Sequence, residues 1–245
     1  MSFETVLNAA REGDPDAQVA MGYMFYKGEG VGQDRREAAR WFGLAADQGN
    51  AEAICNLGHM RAHGEGIRAD LGLAMDLYRK SAEMGYPRAM FNLGFMYTDV
   101  EGVDQDWAEG YRWYSKAAEA GNLIALYRVA VMDEEGRGVP KDPKKAAAGY
   151  QLCLDNGYPK AGYRLGMMHL EGSGVPKSVN KAVSCFSKAA DLGSDDAMLM
   201  LGKMSLSGEG MVPSRRNAEK WLKKAAGRGN AEAAEMLDRM RSEDI

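Results

Sequence analysis

The residues with the clearest spacing for chemistry are His59 and His63, one helical turn apart in this 245-residue chain. A spacing of four residues places both imidazoles on one face of a helix, where they can share a metal ion, and Asp99 could supply a third ligand. The stretch reads HMRAH, so no glutamate follows His59 and the general base of a metalloprotease is missing. We favour the alternative, two exposed histidines that bind no metal, and we expect no cofactor.

A serine and a lysine also have a spacing known from catalysis. Ser178-Val-Asn-Lys181 matches the Ser-x-x-Lys pattern of penicillin-recognising enzymes, but the Ser-Asp-Asn and Lys-Thr-Gly elements that accompany it are absent. Ser178 also stands where a side chain can cap a helix, so its hydroxyl already has a structural role. We therefore predict no catalytic residue and no enzymatic activity.

Four polar residues spaced 36 apart form a third candidate, namely Asn56, Asn92, Arg128 and Arg164. An asparagine amide offers a donor and an acceptor, which matches one peptide unit of an extended chain. An arginine can bind a carboxylate or a backbone carbonyl. These residue types predict a polar ladder that holds a peptide. The alternative is that they hydrogen-bond to a neighbouring helix or to water.

The spacing of that ladder is the spacing of the whole chain. An alanine recurs in steps of 36 residues from Ala17 to Ala233, and a glycine recurs likewise from Gly49 to Gly229. Each unit reads as a first helix, a glycine-rich loop and a second helix. The period predicts six repeats, at 14–49, 50–85, 86–121, 122–157, 158–193 and 194–229. Residues 1–13 and 230–245 each hold one more helix, which we expect to cap a single solenoid over residues 1–245.

Glycines recur inside the first helices, where glycine costs about 1 kcal/mol relative to alanine. This column, which we call the glycine column, consists of Gly22, Gly58, Gly94, Gly166 and Gly202. It predicts that the second helix approaches closely at these positions. Repeat four is irregular, because it has Ala130 in this column and Gly149 where other repeats have a bulkier residue, so we expect its packing to differ.

Composition excludes several classes of protein. A formal net charge of −4 argues against a nucleic-acid partner. The chain contains no run of about 18 apolar residues, so we predict no membrane insertion. The first residues contain early acids and no long apolar stretch, which is not typical of a secretory signal. Three cysteines at unrelated repeat positions fit buried thiols in a reducing compartment. We expect a cytoplasmic monomer.

The unit A-x-x-x-L-G-x-x-[aromatic]-x-x-G-x-G-V, followed by a capping acid, K/R-x-A, an aromatic and A-A-x-x-G, resembles the Sel-one-like repeat family. This family is a branch of the tetratricopeptide-like α-solenoids, and the resemblance covers essentially the whole chain. It implies an all-α, right-handed α-α superhelix of the six repeats and a role as an adaptor or scaffold. Some secreted members carry a disulfide in each repeat and are linked to penicillin binding or hydrolysis, but their paired cysteines are missing here.

The resemblance also implies that the first helices line a concave groove. The function we predict is binding of a protein or peptide segment in that groove. The alternatives are a hydrolase of β-lactam-like or peptidoglycan substrates and a structural spacer that uses its outer face. The predicted groove residues are Tyr23, Tyr26, Asn56, His59, Phe91, Asn92, Phe95, Tyr127, Arg128, Tyr163 and Arg164.

Overall fold

The computed structural model describes residues 3–242, which form fourteen α-helices and contain no β-strand. The helices are α1 (Phe3–Arg11), α2 (Pro15–Lys27), α3 (Arg35–Asp47), α4 (Ala51–His63), α5 (Leu71–Glu83), α6 (Pro87–Asp99), α7 (Trp107–Glu119), α8 (Leu123–Glu135), α9 (Pro143–Asp155), α10 (Pro159–Glu171), α11 (Val179–Asp191), α12 (Asp195–Ser207), α13 (Arg215–Ala226) and α14 (Ala231–Ser242). The contacts divide the chain after Ala125 into two compact units. We call the described parts unit 1 (residues 3–125) and unit 2 (residues 126–242).

The helices begin and end at local signals in the sequence. Before α2, the carboxylate of Asp14 accepts hydrogen bonds from the backbone N–H groups of Asp16 and Ala17, at 2.9 and 3.0 Å. After α2, Gly28 takes the left-handed conformation with φ of 79° and donates its N–H to the Met24 carbonyl. Only glycine adopts such a φ without strain, so the loop between the paired helices depends on it.

Each first helix packs against the second helix of its own repeat, as α2 does against α3 and α10 against α11. The glycine column makes this packing possible. A Cβ atom added at Gly94 would lie 2.8 Å from the Tyr114 ring, and one added at Gly202 would lie 2.7 Å from Leu222. The close approach predicted from the glycines is therefore present, and the prediction of an all-α repeat fold is confirmed.

In repeat four, the glycine that allows the two helices to approach lies on the second helix instead of the first. Ala130 occupies the glycine column, and a Cβ atom added at Gly149 would lie 2.9 Å from the Ala130 Cβ. The space that a first-helix glycine leaves in other repeats is thus left here by a second-helix glycine. Tyr150, the next residue, is fully buried and keeps the aromatic packing of its column.

Two further expectations concern residues inside these helices. Cys55, Cys153 and Cys185 are all buried, and none of them forms a disulfide within the described residues. Burial raises the pKa of the Cys55 thiol to about 11, so this group stays protonated at neutral pH. Within residues 3–242, no helix combines the length and the apolar character needed to cross a membrane.

Candidate functional site

A small cavity in unit 1 collects predicted groove residues from two first helices and one further residue from a third. Tyr23 and Tyr26 come from α2, and Asn56 and His59 come from α4. Arg88, which the sequence did not predict, enters from the start of α6. We call these five residues the unit-1 face. The cavity has a volume of about 160 Å³, and Phe42 and Met60 complete its lining.

Hydrogen bonds hold the polar groups of the unit-1 face together. The Arg88 guanidinium donates to the Tyr23 hydroxyl at 3.3 Å and to Asn56 Oδ1 at 3.0 Å. Asn56 Nδ2 donates to the same hydroxyl at 3.0 Å, and that hydroxyl donates to Glu52 at 2.8 Å. Asn56 is only 4% exposed. Its amide is therefore engaged inside the protein, and it positions Arg88 and Tyr23.

Arg88 is an exposed cation at the edge of the cavity, and its hydrogen-bond partners are neutral. Within the described residues it forms no ion pair, and the two groups that accept its N–H bonds are a hydroxyl and an amide oxygen. A guanidinium has five N–H donors, so donors remain that can bind another acceptor. Because its side chain is exposed and has no opposite charge beside it, Arg88 is suited to bind an anionic or carbonyl group of a ligand.

Glu65, which lies outside the lining of the cavity, contacts two of the lining residues, Tyr26 and His59. Tyr26 donates its hydroxyl to Glu65 Oε2 at 2.7 Å, while Arg35 lies 3.3 Å from the other carboxylate oxygen. The hydrogen bond to Glu65 and burial raise the pKa of Tyr26. His59 Nδ1 lies 3.5 Å from the same carboxylate. Since Arg35 balances the charge of Glu65, this wall presents Tyr26 and His59 as aromatic surface.

The two histidines stack on each other, with ring centroids 4.3 Å apart. His63 Nδ1 lies 2.9 Å from the His59 carbonyl oxygen, and burial together with the neighbouring His63 lowers the pKa of His59. Asp99 accepts a hydrogen bond from Thr98. Within residues 3–242, no group of three histidine, cysteine, aspartate or glutamate side chains is arranged to hold a metal ion.

The serine of the Ser-x-x-Lys pattern has a structural contact. The Ser178 hydroxyl accepts a hydrogen bond from the Lys181 backbone N–H at 3.3 Å and caps α11. This is the role that its position in the repeat predicts.

Three predicted groove residues of repeat three do not line the cavity. Asn92 donates to the Cys55 sulfur at 3.7 Å, and the Phe91 ring lies 5.5 Å from the Tyr114 ring. Phe95 is 39% exposed. These residues therefore lie on the same helix as Arg88 but outside the lining of the cavity, and only Phe95 presents much of its side chain to solvent.

The predicted groove residues of unit 2 make different contacts. We call Tyr127, Arg128, Tyr163 and Arg164 the unit-2 face. Arg164 lies 3.6 Å from the Glu134 carboxylate, which also accepts the Tyr150 hydroxyl at 2.5 Å. Burial and this hydrogen bond raise the pKa of Tyr150.

Aromatic rings surround this ion pair. The Tyr127 ring lies 5.0 Å from the Tyr158 ring and 5.7 Å from the Tyr150 ring. Tyr163 packs near Phe186, at 6.1 Å, and Arg128 is partly buried. The Arg164 guanidinium of the unit-2 face is thus engaged within the unit, and the rings of this face pack against other aromatic residues of the unit.

Arg88 and Glu52 could have been found by following one more column. Both are the second residue of a first helix, where Asp16, Ile124, Lys160 and Asp196 stand in the other repeats. The charge in this column changes sign between repeats two and three. That change was a signal that side chains near the helix starts contribute to the groove surface.

The repeat pattern matches a known family. The profile of the Sel1 repeat matches residues 15–50, 51–86, 87–122, 123–148, 159–194 and 195–230. The chain belongs to the Sel1 repeat family. Proteins of this family are generally protein-interaction scaffolds. The fourth match stops at residue 148, immediately before Gly149.

Solved structures show the same architecture. The crystal structure of c5321, a protective antigen present in uropathogenic Escherichia coli strains, superposes with a TM-score of 0.86 at 30% identity, covering 93% of this chain and 49% of that one. The chain thus spans about half the length of c5321. A Sel1 repeat protein from Oxalobacter formigenes has a TM-score of 0.76 at 28% identity and covers 90% of this chain and 95% of that one. No curated protein matches the chain.

Proposed function

We propose that the protein binds a segment of another protein on its first helices, with the unit-1 face as the principal contact. The observation that carries this proposal is Arg88, an exposed cation with unused donors at the edge of an aromatic-walled cavity. Family membership supports the general class, because Sel1 repeats mediate protein interactions.

The shape of the site favours a side chain with its adjoining backbone as the bound group. The cavity of about 160 Å³ is below the usual range for small-molecule pockets. Tyr23, Tyr26 and His59 are side chains of the kind that anchor interfaces, since they offer large apolar surfaces with a polar edge. An inserted side chain would contact these rings while Arg88 binds a carbonyl or carboxylate beside it.

A peptide display experiment tests the proposal. A library of random 12-residue peptides on phage is panned against the immobilised chain, and enriched peptides are measured by fluorescence anisotropy. The key variant is Arg88→Met, which keeps an unbranched stem and removes the donors. The matched control is Arg112→Met, because Arg112 is exposed and pairs with Glu109 on α7.

We expect enriched peptides whose affinity falls about tenfold in Arg88→Met, as loss of one charged hydrogen bond implies. Affinity should be unchanged in Arg112→Met. The proposal is wrong if no peptide is enriched, or if every enriched peptide binds Arg88→Met and Tyr26→Ala as tightly as the original chain.

A further inference from the structure

A second groove in unit 1 lies on the side of the second helices. It runs between α3 and α5, with α4 beneath it, and has a volume of about 530 Å³. None of its lining residues belongs to the unit-1 face. We call it the outer groove, and its lining residues are Arg36, Ala39, Arg40, Leu57, Arg61, Gly66, Ile67, Leu73 and Leu77.

Repeat two departs from its neighbours at two positions of this groove. Leu73 stands where repeats one and three have Glu37 and Glu109, and it is 40% exposed. Leu77 stands where those repeats have Trp41 and Trp113. One departure replaces a charge by an apolar side chain, and the other replaces an indole by a smaller side chain.

The smaller side chain of Leu77 affects the burial of Leu57 on the neighbouring first helix. Met21 and Leu93 share a column with Leu57 and are both 0% exposed, packed in the same clusters as Trp41 and Trp113 respectively. Leu57 and Leu77 are only partly buried. The missing indole therefore leaves apolar surface of the first helix accessible at the floor of the outer groove.

Repeat one shows what the usual residues do at the corresponding place. The groove between α1 and α3 is of similar volume, about 580 Å³, but Trp41 lines it while Met21 does not. Gln18 and Glu37 also stand in its lining. An open groove alone is thus not special, but the outer groove differs from that of repeat one by having Leu73 in its wall in place of a glutamate and Leu57 in its floor.

The rim of the outer groove is positively charged. Arg40 pairs with Glu37 at 2.6 Å, but Arg36 forms no ion pair within the described residues. Arg61 donates to the Arg68 carbonyl and likewise has no carboxylate partner there. A cationic rim in a chain whose net charge is −4 is a local charge asymmetry that favours an acidic partner.

We propose that the outer groove binds an acidic amphipathic helix of a partner protein. An elongated apolar channel between two helices accepts apolar side chains spaced i, i+3 or i+4 and i+7 on one helical face. Aspartate or glutamate residues flanking that face would pair with Arg36 and Arg61. This surface is separate from the unit-1 face, so the protein can hold two partners at once.

The chain itself provides variants that close the groove and keep the fold. Leu77→Trp and Leu73→Glu introduce the residues that repeats one and three already carry at these positions. Leu77→Trp covers Leu57, and Leu73→Glu places a negative charge on the wall. The matched control is Leu152→Glu, because Leu152 is 52% exposed and lies in unit 2. Circular dichroism melting checks that all three variants are folded.

The probes come from a phage library of helix-forming 18-residue peptides, with acidic, basic and apolar residues randomised, panned against the full chain. Enriched peptides are measured by fluorescence anisotropy. We expect a class with apolar residues on one face and excess acids, whose affinity falls at least tenfold in Leu77→Trp and Leu73→Glu. The affinity should fall severalfold in Arg36→Glu. It should be unchanged in the two controls, Leu152→Glu and Arg88→Met.

Two results overturn the proposal. If no enriched peptide loses affinity in Leu77→Trp and Leu73→Glu, including the case in which none is enriched, the outer groove is not a helix-binding site. If peptides that depend on Leu73 are neutral or basic and bind Arg36→Glu as well as the original chain, the acidic character of the partner is wrong. Sensitivity to Arg88→Met alone reports the unit-1 face and supports only the function proposed for it.

Discussion

The unit-1 face and the unit-2 face both lie on first helices, but their arginines stand at different repeat positions and reach different electrostatic states. In unit 1, Arg88 bonds to the neutral Tyr23 and Asn56. In unit 2, Arg164 lies beside the carboxylate of Glu134, which also holds the Tyr150 hydroxyl. One arginine thus retains donors without an opposite charge, and the other has its charge balanced within the unit.

This difference teaches that the presence of an arginine on a first helix does not decide the role of that arginine. The neighbouring helix decides it, by supplying or withholding a carboxylate. An arginine with an internal partner contributes to stability, because removing that partner leaves a charge and a donor unpaired. An arginine with neutral partners contributes little to stability and is available to a ligand. Stability and binding should therefore separate between the two faces.

The largest effect on stability is expected from Glu134→Ala in unit 2. The substitution leaves Arg164 without its ion-pair partner and the buried Tyr150 hydroxyl without its acceptor. We expect the free energy of unfolding to fall by about 2–3 kcal/mol. Urea denaturation measures it, with Glu135→Ala as the neighbouring control. An unchanged midpoint would mean that the ion pair of the unit-2 face has no structural role.

The next effect separates the two arginines in binding. Arg88→Met should weaken the binding of enriched 12-residue peptides about tenfold, which corresponds to about 1.4 kcal/mol. Arg164→Met should weaken peptide binding less than threefold, because the charge of Arg164 is already paired with Glu134. Fluorescence anisotropy with the same peptide and both variants makes the comparison. Equal losses in the two variants would remove the distinction between the faces.

A smaller effect is expected from Asn56→Ala. Asn56 is buried and bonds to both Tyr23 and Arg88, so its removal loosens the arrangement of the unit-1 face. We expect a loss of about 1 kcal/mol in unfolding free energy, measured by urea denaturation. Asn92→Ala is the matched control in the same column. If Asn56→Ala weakens peptide binding without any loss of stability, Asn56 contacts the ligand directly.

The smallest effect concerns pH. Burial and His63 lower the pKa of His59, so the unfolded chain takes up a proton at a higher pH than the folded chain does. Stability from this group is therefore present above the unfolded pKa of about 6.5 and is lost as the pH falls below it. Between pH 7.5 and 5.5, the original chain should lose more unfolding free energy than His59→Gln, by less than about 1 kcal/mol. Equal losses of unfolding free energy in the original chain and in His59→Gln would show that the pKa of His59 is not lowered by folding.

The periodic parts of the fold were accessible from the sequence. The glycine column predicted close helix packing because a missing side chain at a fixed spacing has a simple steric meaning, and Gly94 against Tyr114 shows it. Ala130 and Gly149 were recognisable as exceptions. Their mutual compensation was not, since it depends on two residues meeting across a helix pair.

The candidate site was predicted less completely. Tyr23, Tyr26, Asn56 and His59 do meet at one cavity, but Arg88 was missed because its contact with Tyr23 joins residues 65 apart in sequence. The burial of Asn56 was also not foreseen, since the repeat register places its column on the groove side without showing which neighbours cover it. Contacts that cross two repeats depend on side-chain length and direction, which periodicity does not give.

The most direct test of the account is to map a bound peptide onto the chain. Amide chemical shifts are recorded for the original protein with and without an enriched 12-residue peptide. The account predicts that the largest shifts fall on α2, α4 and the start of α6, around Tyr23, His59 and Arg88, and that they disappear in Arg88→Met. Shifts confined to unit 2 or to the second helices, with α2 and the start of α6 unaffected, would contradict it.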